Sequence, residues 1–249
     1  MTVTHLDIIL STNDWLKAHR DVSDTMQVVV AEAQTHGRGS GSNTWESEHG
    51  KNLNFSILIH PLDIRPTQQF IISMMISNAL VRALCEQIDI RQTALTVKWP
   101  NDIYWKELKI SGTRIDGNIK SGKMSDMVIG TGININQSEF NGTAPNPVSL
   151  HQATGLTYDR NEILFNIISR FEHYLSIAKA EWTTRKECKA IHEEYHKHLF
   201  RKEGIHRYED ANGQFDAELL EVLPNGIMRL KRTDGTISEY EFKEVKYLL

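Results

Sequence analysis

Two glycine-containing turns near the end of the chain constrain its fold more than any other sequence feature. Asn225-Gly226 and Asp234-Gly235 separate short β-rich runs, and such dipeptides supply the positive φ angles that tight hairpins need. The strands predicted on this basis are residues 215–223, 227–232 and 236–242. Consecutive hairpins of this size predict a small β-barrel, which we place in a C-terminal domain of residues 200–249.

The preceding part of the chain, residues 1–199, mixes strand and helix patterns and predicts an α+β domain with a mixed sheet. The longest helix pattern covers residues 66–88, where apolar side chains recur every three to four positions. A second helical region covers residues 159–200, with two apolar stripes. The predicted strands are residues 26–32, 53–59, 95–99, 109–116 and 127–135.

Composition excludes several classes of protein. The 249 residues are 40% hydrophobic and 24% charged, which is ordinary for a globular protein and excludes a disordered or fibrous chain. A net charge of −4 argues against a dedicated nucleic-acid binder, which usually carries a basic face. The start lacks a signal-peptide pattern, no apolar run reaches a membrane-spanning length, and Cys85 and Cys188 lie far apart. We therefore expect a soluble, cytoplasmic protein with reduced thiols that binds neither nucleic acid nor membrane.

One motif points to metal chemistry. His192-Glu193-Glu194-Tyr195-His196 matches the HExxH pattern of zinc hydrolases, in which both histidines share a helix face and the glutamate acts as general base. The surrounding Glu194 and Lys197 instead indicate a charged, solvent-facing helix. We favour a surface helix that leads to the small barrel.

Three further motifs carry glycines and charges close to predicted strands, where binding sites often assemble. Gly37-Arg38-Gly39-Ser40-Gly41 offers backbone N–H groups and a guanidinium to an anion, although it matches neither the P-loop nor the dinucleotide fingerprint. Lys98-Trp99-Pro100-Asn101-Asp102, with Lys109, offers two ammonium groups to a polyphosphate and a carboxylate to magnesium. Gly130 and Gly132 lie inside a strand, which indicates close approach by backbone or ligand. A bare loop, a turn and a bulge are the alternative interpretations.

Taken together, these motifs resemble those of biotin protein ligases (biotin–[acetyl-CoA-carboxylase] ligases). The matching residues, in chain order, are Ser11-Thr12-Asn13, Gln34, Gly37-Arg38-Gly39, Trp45, Lys98-Trp99-Pro100-Asn101-Asp102, Lys109-Ile110-x-Gly112 and Gly130-x-Gly132-Ile133-Asn134. The resemblance is strongest up to about residue 136 and continues more weakly to the end. It implies a catalytic domain over residues 1–199, related to class II aminoacyl-tRNA synthetases, and an SH3-like barrel over residues 200–249. It further implies the monofunctional form, without the DNA-binding domain of some relatives.

The resemblance also implies a two-step reaction. Biotin and ATP would give biotinyl-5′-AMP and pyrophosphate, with Mg²⁺ on the nucleotide. The biotinyl group would then pass to a lysine of a biotin carboxyl carrier protein of a biotin-dependent carboxylase, with release of AMP. The implied oligomeric state is a monomer or a homodimer.

The implied roles fall into four groups. Lys109 and Arg38 are the implied catalytic residues, at the biotin carboxyl group and the α-phosphate. Biotin would be bound by Ser11, Thr12, Asn13, Gln34, Gly37, Arg38, Trp45, Gly112, Ile115, Gly132 and Ile133. The nucleotide would be bound by Arg38, Gly39, Ser40, Trp45, Lys98, Asn101, Lys109 and Asn134. Asp102 is the implied magnesium ligand.

Two residues depart from the family pattern. Ser40 stands where many members carry a second arginine, which predicts faster escape of biotinyl-AMP. Arg114 stands where an apolar residue commonly contacts biotin, so it either pairs with Asp116 or Glu107 away from the pocket or alters the ligand. Two alternatives to a biotin ligase therefore stay open: a lipoate-type ligase and a non-catalytic paralogue that binds biotin, its adenylate or the carrier domain.

Overall fold

A computed structural model describes seven ranges of the chain. These ranges are residues 1–21, 23–39, 44–60, 64–88, 95–142, 144–183 and 188–249. The helices are α1 (Thr12–Ala18), α2 (Phe70–Gln87), α3 (Leu150–Thr154), α4 (Arg160–Thr183) and α5 (Lys189–Lys197), and a 3₁₀ turn covers Pro66–Gln68. The strands are β1 (Thr2–Ile9), β2 (Met26–Gln34), β3 (Leu53–Ile59), β4 (Leu95–Lys98), β5 (Asp102–Trp105), β6 (Leu108–Lys120), β7 (Lys123–Ile133), β8 (Ile205–Asp210), β9 (Gly213–Val222), β10 (Met228–Arg232), β11 (Ile237–Tyr240) and β12 (Lys246–Tyr247).

The first seven strands form one mixed sheet, in the order β1-β2-β3-β7-β6-β5-β4. The pair β1–β2 is parallel, and every other pair in this order is antiparallel. The mixed sheet confirms the predicted fold class. Strand β3, whose residues are all buried, has the predicted bounds. Strands β1 and β5 were not predicted.

The two faces of this sheet differ in what covers them. Helices α2 and α4 pack together beside the main hydrophobic core, to which Phe55, Ile57 and Ile129 of the sheet also belong. Helix α1 covers part of the opposite face, where Leu16 joins a small apolar cluster with Val29, Leu58 and Val128. The rest of the α1 face carries polar residues and glycines, and it positions the candidate site.

The last five strands form an antiparallel sheet in the order β11-β10-β9-β8-β12, which fits the predicted SH3-like domain. The predicted turns are confirmed, since Gly226 and Gly235 have φ angles of 93° and 89°. Side chains of this sheet, Tyr208 and Leu230 among them, belong to the same buried cluster as those of α2 and α4. The division of the chain into domains at residue 200 stays a prediction.

Helix α5 joins the two parts of the structure through its histidines. His192 Nε2 lies 2.9 Å from the carbonyl oxygen of Val222 in β9, and the backbone N–H of Val222 donates to His196 Nε2 at 2.9 Å. The imidazoles therefore face β9 rather than solvent. Within the described ranges, no three His, Cys, Asp or Glu side chains are grouped as a metal site would require. Nor does any helix there combine the length and apolar character needed to cross a bilayer.

Candidate active site

Three glycines form a smooth floor on the α1 face of the sheet. Gly112 of β6 pairs with Gly132 of β7, and Gly130 lies two residues before Gly132. A Cβ atom at Gly132 would overlap the indole of Trp45, and one at Gly130 would overlap the side-chain amide of Asn13. The glycines thus admit close approach by two predicted biotin-binding residues, which is the purpose expected of glycine inside a strand.

A network of buried polar side chains lies at the N-terminus of α1. Ser11 caps the helix, and the backbone N–H and hydroxyl of Thr12 donate to Gln34 Oε1 at 2.9 and 3.1 Å. Ser56 Oγ of β3 lies 2.7 Å from Thr12 Oγ1 and 2.6 Å from Asn13 Oδ1. The structure therefore brings Ser11, Thr12, Asn13 and Gln34 together, and their binding of biotin stays a prediction.

Ser56 and its neighbour Asn54 were missed by the sequence analysis. Asn54 Oδ1 accepts a hydrogen bond from the indole N–H of Trp45 at 3.1 Å, and both Asn54 and Ser56 are fully buried. The signal was present in β3, where these two polar residues alternate with the apolar Leu53, Phe55 and Ile57. Alternation inside a buried strand means that its second face meets polar groups.

The cationic end of the site lies across the floor from α1. Lys109 Nζ donates to Asp102 Oδ2 at 2.6 Å, and both side chains are half-buried. A register shift between β5 and β6 makes Ile110 an extra residue in β6. Bulges of this kind redirect side chains near active sites, and here the end of Lys109 lies close to Gly112.

Lys98 lies beside this ion pair, directly opposite Asp102 in the β4–β5 register. Its ammonium group is 3.3 Å from the hydroxyl of Tyr104. Burial lowers the pKa of Lys98, the Asp102 carboxylate opposes the shift, and Lys109 and Arg201 add to it. A lysine whose positive charge is poorly compensated is suited to receive an anion.

The other residues predicted to bind the nucleotide are divided between the two ends of the site, with Asn134 and Asn101 at the cationic end and Arg38 at α1. Asn134 Nδ2 is 3.4 Å from the carbonyl oxygen of Lys109, and Asn101 is buried in the turn before Asp102. Arg38 extends from the glycine loop and pairs with Asp14 of α1 at 3.0 Å. Gly37 and Gly39 flank Arg38, and the carbonyl oxygen of Gly37 accepts from the backbone N–H of Trp45 at 2.9 Å. Ser40 lies outside the described residues.

Two predicted biotin-binding side chains are not brought to the floor. Ile133 is fully buried in the main hydrophobic core, and Ile115 packs against that core. Ile133 lies one residue after Gly132 and Ile115 lies three residues after Gly112. Because side chains alternate along a strand, both point to the α2 and α4 face. Only their backbones run along the site.

Arg114 lies on the pocket face, opposite Gly130. Its Nε donates to Asp116 Oδ1 at 3.1 Å, so it takes the Asp116 partner, whereas Glu107 pairs with Arg201. Asp116 Oδ2 also accepts from Lys17 at 2.7 Å and from Asn13 at 3.2 Å. Burial raises the pKa of Asp116, but these three hydrogen bonds outweigh burial, so the pKa lies below its ordinary value.

Comparison with known proteins places this arrangement in a family. The biotin/lipoate A/B protein ligase family matches residues 6–134, which is more than half of the chain. The bifunctional ligase/repressor BirA of Escherichia coli K12 is 28% identical over 182 residues, covering 72% of this chain and 55% of that protein. Human biotin–protein ligase is 34% identical over 113 residues, covering 45% of this chain and 15% of that protein. The chain thus spans about half the length of the bacterial relative.

A solved structure shows the same fold. The biotin protein ligase from Aquifex aeolicus, in complex with biotin and ATP, superposes with a TM-score of 0.80 and covers 99% of both chains. Its sequence identity to this chain is 24%. The likeness therefore covers the main sheet, its helices and the C-terminal sheet.

Proposed function

The chain belongs to the biotin/lipoate A/B protein ligase family, and on that premise we propose that it uses ATP to attach biotin to a lysine of a carrier protein. One observation carries the proposal. The glycine floor lies between a buried polar network at α1 and the Lys109–Asp102 ion pair. This arrangement offers one end to an uncharged ring system with donors and acceptors, and the other end to a carboxylate and phosphates.

The first step joins biotin to the nucleotide. A carboxylate oxygen of biotin attacks the α-phosphorus of ATP, the bond from that phosphorus to the bridging oxygen breaks, and pyrophosphate leaves. Lys109 would hold the carboxylate and the α-phosphate together, a role supported by the closeness of its ammonium group to the floor at Gly112. Positioning and charge neutralisation account for most of the catalysis that such a step requires.

The second step transfers the biotinyl group. The neutral amine of the carrier lysine attacks the acyl carbon of biotinyl-5′-AMP, the bond from that carbon to the phosphate oxygen breaks, and AMP leaves. The amine loses its proton as the amide forms. The partner we propose is the biotin carboxyl carrier protein of a biotin-dependent carboxylase.

The donor set fits a magnesium ion that is carried mainly by the nucleotide. Among the described residues, only Lys109 hydrogen-bonds the side chain of Asp102, through Oδ2, which leaves Oδ1 for a hard cation. Mg²⁺ usually takes one or two carboxylates and completes its ligands with phosphates and water. When bound, the ion would neutralise phosphate charge, and Asp102 would hold it beside Lys98.

Biotin recognition is assigned to the α1 network. A buried ureido group needs partners for its N–H and carbonyl groups, because unpaired polar atoms are costly to bury. Thr12, Asn13 and Gln34 provide donors and acceptors that the network already holds in place. The indole of Trp45 lies against Gly112 and Gly132 and closes the floor on one side.

A pyrophosphate-release assay tests the proposal. Wild-type protein with ATP and Mg²⁺ is expected to release pyrophosphate when biotin is added, and to label a biotin carrier domain. Lys109→Ala is expected to abolish release, whereas Lys106→Ala, a lysine of the same β5–β6 turn that stacks on Trp105, is the matched control. Release with lipoate in place of biotin would support a lipoate-type ligase. No release from folded protein with either acid would overturn the ligase assignment.

A further inference from the structure

The ammonium group of Lys98 is held by aromatic rings from two different parts of the chain. Its Nζ lies 4.9 Å from the ring centroid of Tyr104 in β5 and 5.3 Å from that of Tyr247 in β12. Within the described part of the chain, Lys98 forms no ion pair, and its ammonium group donates a hydrogen bond to the Tyr104 hydroxyl. Both ring distances are within the range of cation–π attraction, which is stronger where water is excluded.

Tyr247 is fixed by the C-terminal sheet rather than by the site. It pairs with Tyr208 in the β12–β8 register, and its ring lies 5.1 Å from the ring of Tyr208 and 5.8 Å from that of Phe200. The next residue, Leu248, accepts a hydrogen bond from Arg201 at 2.8 Å. A ring locked in this way keeps its face at a constant position relative to β4.

The segment that follows Lys98 is fastened to the same side of the molecule. The indole N–H of Trp99 donates to the carbonyl oxygen of Gly226 at 2.9 Å, and the hydroxyl of Tyr195 donates to that of Pro100 at 2.7 Å. The C-terminal sheet therefore contacts the side chains of Lys98 and Trp99, and helix α5 holds the backbone of the next residue, Pro100.

We propose that Tyr247 is a positioning residue, which holds the Lys98 ammonium from the second sheet so that it faces the phosphates of ATP. The inference rests on the proposed function, because that function places the phosphates beside Lys98. A carboxylate partner would cancel the charge that the phosphates require, whereas an aromatic face holds the ammonium group and leaves its charge in place. Burial lowers the pKa of Lys98, and the nearby Asp102 carboxylate, which is paired with Lys109, offsets that shift only in part.

Steady-state kinetics of the full-length protein test this role. Tyr247→Leu removes the ring face but keeps an apolar side chain, and we expect it to raise the KM for ATP about fivefold, in the range of a cation–π contact, while the KM for biotin stays unchanged. Tyr247→Phe keeps the ring and loses only the hydroxyl, which contacts Met228 Sδ. We expect this variant to keep the wild-type KM for ATP. In a Lys98→Met background, Tyr247→Leu should have no further effect.

The matched control is another ring of the same sheet that lies under a cation away from the site. The ring centroid of Phe215 lies 3.8 Å from Cζ of Arg232. Phe215→Leu is expected to leave the KM for ATP and the KM for biotin unchanged. If Tyr247→Leu raised both KM values together, or acted equally in the Lys98→Met background, the ring would only support the fold and the proposal would be overturned.

A chemical readout separates this inference from the proposed function. The rate at which acetic anhydride acylates Lys98, followed by mass spectrometry over a range of pH, reports its pKa without any turnover. Tyr247→Leu keeps the burial and removes the ring face, so we expect a lower pKa than in wild type and in Tyr247→Phe. Equal pKa values in all three proteins would overturn the positioning role. An absence of pyrophosphate release from wild type, with the pKa shift present, would overturn only the ligase assignment.

Discussion

The two faces of the seven-stranded sheet are made from the same strands but from different kinds of side chain. On the α2 and α4 face, Phe55 and Ile57 of β3 are fully buried among apolar neighbours. On the α1 face, Asn54 and Ser56 of the same strand are equally buried, but they bond to Trp45, Thr12 and Asn13. Burial alone therefore does not separate the core from the site.

The difference shows how one sheet serves stability and binding together. An apolar side chain contributes free energy of about 25 cal/mol per Å² removed from water, in any orientation that packs well. A buried hydrogen bond contributes only about 1 kcal/mol net, because it replaces bonds to water, but it fixes donors and acceptors at definite positions. We therefore expect substitutions on the core face to act on stability and those on the α1 face to act on ligand binding.

Phe55→Ala should give the largest effect, since it removes a fully buried ring from the core face. We expect a loss of about 3–5 kcal/mol in the free energy of unfolding, measured by urea denaturation. Ser56→Ala, at the next residue on the opposite face, should cost only about 1–2 kcal/mol while it weakens biotin binding, measured by calorimetry. Equal losses of stability in the two variants would contradict the division between the faces.

Much of the core face could be predicted from the sequence, because buried strands and helices are recognisable by the pattern of their apolar residues. Strand β3 and helix α2 are apolar over most of their length, and the turns at Gly226 and Gly235 need a backbone that glycine supplies. Strand β1 lies at the sheet edge, and its burial is too uneven to give a clear alternation.

The surroundings of a motif are harder to predict than the motif itself. The spacing of His192 and His196 correctly places them on one helix face, but it cannot show that Val222 of β9 binds both rings. Likewise, Ile133 lies in a motif and Ile115 follows one, yet strand alternation turns both side chains to the core. The histidine contacts and the core contacts of the two isoleucines join residues that are distant in sequence or lie on neighbouring strands. They depend on how the elements pack, which the motifs do not specify.

Gly132→Ala tests whether the floor of the site needs glycine. The added methyl group would overlap the Trp45 indole, which must then leave the floor. We expect the KM for biotin to rise about tenfold, as small misplacements in active sites can cause, with little loss of stability because Trp45 is only half-buried. The clash predicts suppression: in a Trp45→Ala background, Gly132→Ala should cause no additional loss. A full additional loss there would show that the glycine serves something other than the indole.

The smallest expected effect is a dependence of stability on pH. The apolar side chains of the core face do not titrate and so cannot cause such a dependence, whereas Asp116 on the α1 face does titrate. Hydrogen bonds from Lys17, Arg114 and Asn13 hold the pKa of Asp116 below its ordinary value, so the folded protein releases this proton more readily than the unfolded chain. The resulting stability is fully present above the unfolded pKa of about 3.9 and is lost as the pH falls through the folded pKa.

Asp116→Asn should therefore flatten the dependence of the unfolding free energy on pH between pH 5 and pH 3, measured by urea denaturation in matched buffers. Asp216→Asn, which removes an exposed carboxylate paired with Arg207, is the control, because exposed ion pairs contribute little. If Asp116→Asn kept the wild-type slope, the three donors would not hold the carboxylate in solution. The charge on Arg114 would then be uncompensated beside the glycine floor, and an acidic ligand group would become the better partner for it.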